Sequence, residues 1–310
     1  MFSYRHGFHA GNHADVLKHC VLLGVLNYFK QKETGFVFVD THAGAGLYDL
    51  TGKWANTRSE YADGIGRLWS ANQAPELVTH YLAEIKELNP NGELSLYPGS
   101  PWLALQTIRT QDRLRLFELL AAEADVLAHN LAQQRRLAPR AIKLEVRDGF
   151  AALKSVLPPP TRRALVLIDP AYENKQDYRS VVQTIKDALT RFSTGCYLVW
   201  YPRVNRLQVE QMLKQLQHLP GIEWLQAELT VSKAPVDQHG LFGSGLLVIN
   251  PPYTLYKQLS TALPWLAKEL AQDSHAGWKL RSSSHKTAKT TQTNKTTKSS
   301  IPPPVARSRR

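Results

Sequence analysis

The sequence has little of what staples a small fold or anchors a chain in a membrane. Two cysteines, Cys20 and Cys196, stand among 310 residues, each within an apolar stretch. Two thiols cannot build a disulfide framework or a Cys-rich zinc site, and in such surroundings a reduced thiol behaves as a small hydrophobe. No apolar run approaches the roughly 20 residues needed to cross a bilayer. The opening segment Met1 to Gly7 lacks the apolar core of a signal peptide. A protein of the reducing cytoplasm, with no membrane contact, is expected. Charge is one-sided at the carboxyl-terminal end: residues 279–310 hold nine Lys or Arg and no Asp or Glu.

That asymmetry accounts for most of the formal charge of +12, because residues 1–278 carry 29 basic against 26 acidic side chains. The globular part is nearly balanced. Residues 279–310, rich in Ser, Thr and Lys, lack the apolar content to offset their ordering entropy and are expected to form a disordered basic tail. Such a tail either adds salt-sensitive attraction for phosphate backbones or merely solubilises the chain; composition leaves both readings open.

Within residues 1–278, apolar runs bounded by turn formers alternate with helical patterns, the signature of an α/β chain on a largely parallel sheet. Strands are expected at residues 35–40, 114–119, 141–146, 164–169, 196–201, 223–231 and 246–250, giving seven. Most are continuous in Val, Leu and Ile, as in strands covered on both faces. Asn12 is placed to cap a first helix, with Asp15 completing an approximate capping box and Val16, Leu17, Val21, Leu22, Val25, Leu26 and Phe29 as its apolar stripe. A second start is expected at Ser100, as cap, with Pro101 in the first helical position. Residues 47–97, helical in pattern from Ser59 onward, read as an inserted small helical subdomain.

The segment from Phe36 to Gly46 runs from a buried strand ending at Asp40 into a turn containing His42, Gly44 and Gly46. Glycine there lets a ligand approach backbone at the carboxyl edge of the sheet, where open α/β folds bind. Glu118 closes a later strand, in the place of a carboxylate that accepts hydrogen bonds from ribose hydroxyls. The usual separation is about 20 residues; here it is 72 from Gly46, an excess the insertion explains. Asp148, before Gly149, ends the next strand and suits an adenine edge.

The run Ala164 to Tyr172 ends a strand on Asp169-Pro170-Ala171-Tyr172. An adenine amine is a poor nucleophile because its lone pair is delocalised into the ring. A carboxylate on Asp169 and the carbonyl of Pro170, fixed by proline's locked φ, would accept from the amine hydrogens and favour a tetrahedral nitrogen. Tyr172 is expected to stack on the extruded base. A second such run, Leu246 to Tyr253, ends on Asn250-Pro251-Pro252-Tyr253. It lies too near the end of the ordered chain to be the catalytic turn, and Asn250 is read as structural. The amino terminus carries Tyr4, His6, His9, His13, Lys18 and His19 between glycines. The spacing matches no tight zinc pattern, so no metal is expected. Alternating rings and cations suit single-stranded nucleic acid, with Lys18 and His19 approaching a cofactor.

Taken together, residues 3–6, 8–19, 40–46, 97–101, 167–173 and 200–202 closely resemble the RlmJ family of 23S rRNA (adenine-2030-N6)-methyltransferases. The resemblance covers about residues 1–278. It implies a Rossmann-like class I methyltransferase domain that uses S-adenosyl-L-methionine and acts, as a monomer, on one adenine of 23S rRNA. It implies that Lys18, His19, His42, Gly44, Gly46, Ser100, Glu118, Asp148, Gly149 and Asp169 surround the cofactor, with Asp169 catalytic beside Pro170 and Tyr172. Tyr4 and His6 fall on the substrate side. One departure is that the family's usual Asp-Pro-Pro-Tyr has Ala171 in place of its second proline, which relaxes φ and adds an N–H. The rival readings are a DNA adenine methyltransferase, which uses the same kind of turn, and a catalytically silent RNA-binding assembly factor.

Overall fold

The computed structural model describes residues 6–52, 57, 59–132, 141–204, 207–235 and 240–284; Tyr4 and residues 285–310 of the expected tail lie outside them. The strands are β1 (Val37–Asp40), β2 (Leu47–Asp49), β3 (Leu96–Pro98), β4 (Arg113–Glu118), β5 (Ile142–Val146), β6 (Ala164–Ile168), β7 (Cys196–Arg203), β8 (Trp224–Thr230), β9 (Gly243–Ile249) and β10 (Gly277–Ser282). The helices are α1 (His13–Lys30), α2 (Ile65–Leu68), α3 (Glu76–Leu88), α4 (Ser100–Thr107), α5 (Ala121–Ala132), α6 (Gly149–Ala152), α7 (Gln176–Arg191), α8 (Leu207–Gln217) and α9 (Leu255–Glu269).

The main sheet runs in the order β10-β8-β9-β7-β6-β1-β4-β5. Strands β5, β4, β1, β6 and β7 are mutually parallel. Strand β9 runs against both β7 and β8, and β10 runs against β8. Alternate side chains feed two apolar clusters. Phe38, Leu116, Leu167 and Leu198 pack beneath α1, α3, α4, α5 and α9. Val39, Phe117, Ile168 and Val199 pack beneath α6, α7 and α8. Both faces being covered, the central strands carry continuous apolar runs.

Helix α1 is more deeply set than an amphipathic stripe implies: every residue from His13 to Leu26 is buried. It lies between the sheet and α3, α4 and α9, so its polar residues Asp15, Lys18 and His19 must find partners inside the protein. The expected cap is present, with Asn12 Oδ1 accepting from the N–H groups of Ala14 and Asp15 at 2.9 and 3.1 Å.

The expected strand count, and with it the expected start of the tail, is corrected. The sheet has eight strands rather than seven. The additional one, β10, crosses the expected start of the tail at residue 279, because Trp278 and Leu280 alternate with Lys279 and Arg281 in the pattern of an edge strand. Segment 246–250 forms most of β9, which is antiparallel and lies between β7 and β8. The insertion joins the main core: Ile65, Leu68, Val78, Tyr81 and Ile85 belong to the same apolar cluster as α1. Its ends are pinned together by the antiparallel pairing of β2 with β3.

Candidate active site

Strand order reverses around β1, with β4 and β5 on one side and β6 and β7 on the other. Open α/β sheets bind ligands at such a switch point. The carboxyl ends of β1, β4, β5 and β6 bring Asp40, Glu118, Asp148 and Asp169 to the same edge of the sheet. Above them is a cavity of about 320 Å³. Of the residues expected at a cofactor or target, Lys18, His19, His42, Gly44, Ser100, Glu118, Asp148, Gly149, Asp169 and Pro170 all line it, and so does His6.

The turn after β1 is shaped by its neighbours. Gly44 is left-handed (φ 58°), and its N–H donates to Glu118 Oε2 at 2.8 Å. Glu118 Oε1 accepts from Leu120 N–H at 2.8 Å. Two main-chain donors thus fix this carboxylate, and each oxygen keeps a further lone pair. Gly149 is required by close approach: a Cβ there would stand 2.0 Å from the Thr41 carbonyl oxygen. Asp148 caps α6 through Phe150 N–H at 2.9 Å. The Phe150 ring meets His42 edge-on at 4.8 Å.

Asp40 lies wholly buried beneath this turn. Its Oδ2 accepts from the Ser100 hydroxyl at 2.6 Å and its Oδ1 from His42 N–H at 3.1 Å. Burial pushes its carboxyl up to about 7. Ser100 is therefore not the cap of α4. Gly99 holds that position, and the hydroxyl turns toward Asp40. Burial also pulls His19 down to about 3 and His42 down to about 4, so both rings are neutral near pH 7. His19 Nδ1 meets the Tyr97 hydroxyl at 2.9 Å, and that hydroxyl meets Tyr81 of the insertion at 2.9 Å. On the other side of the ring, His19 Nε2 is buried with no hydrogen-bond partner among the described residues.

Asp169 stands at the tip of β6 with its side chain 15% exposed, next to a buried cation. Lys18 Nζ donates to Asp169 Oδ2 at 2.7 Å and lies 2.7 Å from Asp15 Oδ1. Asp15 Oδ2 in turn meets His6 Nε2 and Gly11 N–H, both at 3.0 Å. Burial alone would lower Lys18, but the two carboxylates outweigh it and hold the ammonium above its ordinary range. Burial likewise opposes ionisation of Asp15, and His6 and Lys18 overcome it. No described residue donates to Asp169 Oδ1 or to the Pro170 carbonyl. Both consecutive residues line the cavity, so each brings it an acceptor that no described residue fills, with a cation on the other oxygen of Asp169.

Two expected site residues stand elsewhere. Tyr172 is 2% exposed. Its left-handed backbone (φ 53°) turns the ring inward, where the hydroxyl donates to the Trp200 carbonyl at 2.7 Å and the ring lies 4.6 Å from Tyr178. It props the turn from behind and offers no stacking face to the cavity. Gly46 is left-handed too (φ 76°), and a Cβ there would meet Leu127 of α5 at 2.4 Å. It bends the loop without lining the cavity. The histidines of the amino-terminal arm are committed inside the protein: His9 pairs with Glu60 at 2.9 Å, and His13 is buried and pulled down to about 4. Among the described residues, no group of three His, Cys, Asp or Glu could hold a metal ion.

Sequence reasoning missed Asp15, Tyr48 and Phe150 as parts of this site. Asp15 and Lys18 are one helical turn apart inside an apolar helix, a spacing that signals a paired buried charge. Tyr48, on β2, lies 5.1 Å from the His6 ring and lines the cavity beside it.

This arrangement can be compared with known proteins. The family model for ribosomal RNA large subunit methyltransferase D, RlmJ, matches residues 33–282. The chain belongs to this family. The protein named ribosomal RNA large subunit methyltransferase J in Haemophilus influenzae is 43% identical over 279 residues, covering 90% of this chain and 97% of that one. Its Escherichia coli namesake is 43% identical over 270 residues, 87% and 94% of the two chains. A crystal structure of a Legionella pneumophila protein superposes with a TM-score of 0.81 at 37% identity, covering 89% of this chain and 99% of that one. Family membership and the α/β methyltransferase fold agree with what the sequence implied.

Proposed function

We propose that this protein methylates N6 of one adenine in 23S rRNA, using S-adenosyl-L-methionine as the methyl donor. The supporting observation is the pairing of Asp169 Oδ1 and the Pro170 carbonyl, two acceptors to which no described residue donates, at the rim of a cavity. Accepting both amine hydrogens of adenine there would draw the nitrogen toward a tetrahedral shape. Its lone pair would then point into the cavity, where orientation supplies much of the rate. Lys18 holds the Asp169 carboxylate turned one way, because its ammonium is fixed between Asp15 and Asp169.

The cavity residues fit the donor. His19 Nε2 is a buried polar atom without a partner among the described residues, Glu118 retains lone pairs for two ribose hydroxyls, and Asp148 is an exposed carboxylate lining the cavity, open to an adenine edge. Bound there, S-adenosyl-L-methionine would supply a methyl group on a positively charged sulfur. The neutral rings of His19 and His42 add no positive charge against that sulfonium. His6 and Tyr48 place aromatic surface at the mouth for the target base.

Mass spectrometry of rRNA digests from cells with and without the gene tests this reading. One adenine that loses its methyl group only in the deletion strain is the expected result. Unchanged rRNA together with a lost methyl group in DNA would transfer the assignment to a DNA substrate. Intact methylation of both would leave a silent RNA-binding protein.

A further inference from the structure

Beside the catalytic turn, α7 and α8 enclose a groove of about 540 Å³ on the sheet face opposite α1. From α7 it is lined by Lys175 just before the helix, Arg179 and Lys186, and from α8 by Gln208, Gln211 and Gln215. These positions recur every three or four residues, so each helix turns one continuous stripe into the groove. Among the described residues no carboxylate lines it. Among the described residues none of the three cations forms an ion pair, in contrast to Lys154, which lies against Asp187 at 3.3 Å, and Arg203, which is held by Glu228. The neighbouring groove beyond α8 is mixed in sign, with Glu210 and Glu228 among its walls.

Position distinguishes this groove further. Strands β6 and β7 are parallel, so α7 begins at the carboxyl edge of the sheet, a few residues after Asp169. Helix α7 serves two sites at once. Asp177 and Ser180 face the cavity, while Arg179 and Lys186 face the groove. From residue 175 to 186 the stripe extends about 16 Å along the helix. A polyanion with one unit in the cavity would cross the first turn of α7, whose dipole favours negative charge, and continue into this groove.

We propose that the α7–α8 groove holds the sugar–phosphate backbone of the rRNA strand adjoining the target adenine, with Lys175, Arg179 and Lys186 on phosphates and the three glutamines on riboses and base edges. The proposal rests on the RNA substrate assigned above. Amide side chains suit this role because they donate and accept without adding negative charge, and contacts to 2′-hydroxyls and phosphates dominate where RNA is read by shape.

The test is the full chain carrying K175Q, R179Q and K186Q together, assayed on a 23S rRNA fragment over a range of salt concentrations. Losing three phosphate contacts should reduce the slope of log affinity against log salt by about 2. It should also raise KM for RNA at least tenfold, with the melting temperature and the affinity for S-adenosyl-L-methionine unchanged. A control bearing K257Q and K268Q, on the surface of α9, should lose much less. An unchanged slope and KM in the triple variant would overturn the proposal, and so would an equal loss in the control, which would reduce the effect to net charge. If the wild-type chain binds S-adenosyl-L-methionine but methylates no rRNA fragment, the functional reading beneath the proposal fails instead.

Discussion

Asp169-Pro170-Ala171-Tyr172 and Asn250-Pro251-Pro252-Tyr253 each follow a fully buried strand and each bend through one left-handed residue, Tyr172 (φ 53°) or Asn250 (φ 52°). Their surroundings differ because β6 is parallel to its neighbours while β9 is antiparallel. Strand β6 delivers Asp169 to the carboxyl edge beside Lys18 and the cavity. Strand β9 ends at the opposite edge, where Asn250 Nδ2 donates to the carbonyls of Ser193 and Gly195, both at 2.8 Å. The tyrosines are reversed as well: Tyr172 is 2% exposed, and Tyr253 is 81% exposed against the edge of Tyr28 at 5.7 Å. Chemistry follows strand polarity here more than it follows the spelling of the motif.

Paired substitutions would break that comparison most directly. On the proposed mechanism Asp169→Ala removes an acceptor that would act as the amine pyramidalises, and is expected to lower kcat about 10³-fold. The affinity for S-adenosyl-L-methionine should stay within about tenfold. Asn250→Ala should leave kcat unchanged and cost about 1–2 kcal/mol of stability, since two hydrogen bonds are lost and alanine tolerates a left-handed backbone less well than asparagine. Single-turnover kinetics and urea denaturation read both effects. Equal activity losses in the two variants would contradict the asymmetry.

The next largest effect concerns the cation behind the Asp169 turn, for which the other turn has no counterpart among the described residues. Lys18→Met leaves Asp15 with only His6 and Gly11 for partners and Asp169 without its cation. Breaking a buried pair from one side costs about 3–5 kcal/mol. Urea denaturation should register that loss, together with reduced turnover. A change below about 1 kcal/mol would mean that water or a rotated side chain compensates.

The sequence reveals those parts of the fold and site that depend on local pattern. The continuous apolar runs identify seven of the eight main strands, and Asn12 caps α1 as its residue type suggests. The eighth strand escaped because Lys279 and Arg281 give β10 the charge density of a tail, although its alternation is that of an edge strand. Most of the residues that line the cavity follow from strand ends, which the pattern fixes in one dimension. Tyr172 did not, because its orientation depends on a single positive φ that no side-chain type announces. Nor did the commitment of Ser100 to Asp40 or the chain from Tyr81 through Tyr97 to His19. These join positions 60 and 78 residues apart, a proximity that only the folded topology creates.

Asp40, beneath the cavity, sharpens the contrast through pH. Its carboxyl is raised to about 7 in the folded protein from 3.8, so folding favours the protonated form. That stability is fully present below about pH 3.8 and is lost as pH rises through 7. Asp40→Asn keeps an acceptor for His42 N–H and offers an amide to the Ser100 hydroxyl, without the titration. Between pH 5 and pH 8 the wild type should therefore lose about 2 kcal/mol relative to this variant. Melting curves across that range measure it. Parallel curves for the two proteins would show that Asp40 does not titrate there.

Ala171 is expected to produce the smallest effect, and it bears on the difference between the turns that is written in the sequence itself. The turn at Asn250 has proline at the equivalent place, Pro252, while the turn at Asp169 has alanine. Ala171 is exposed, and its N–H donates to no described residue, so proline there would forfeit no hydrogen bond. Its ring would restrict the unfolded chain and stabilise the fold by about 0.4–1 kcal/mol where the backbone φ is compatible, a rise of roughly 1–3 °C in Tm for a chain of this size. Because Asp169, the Pro170 carbonyl and buried Tyr172 are unchanged, kcat should stay within about twofold. A large fall in kcat with Tm preserved would mean that the turn must flex at residue 171 during turnover, so that alanine at this position serves the reaction rather than merely departing from the family's pattern.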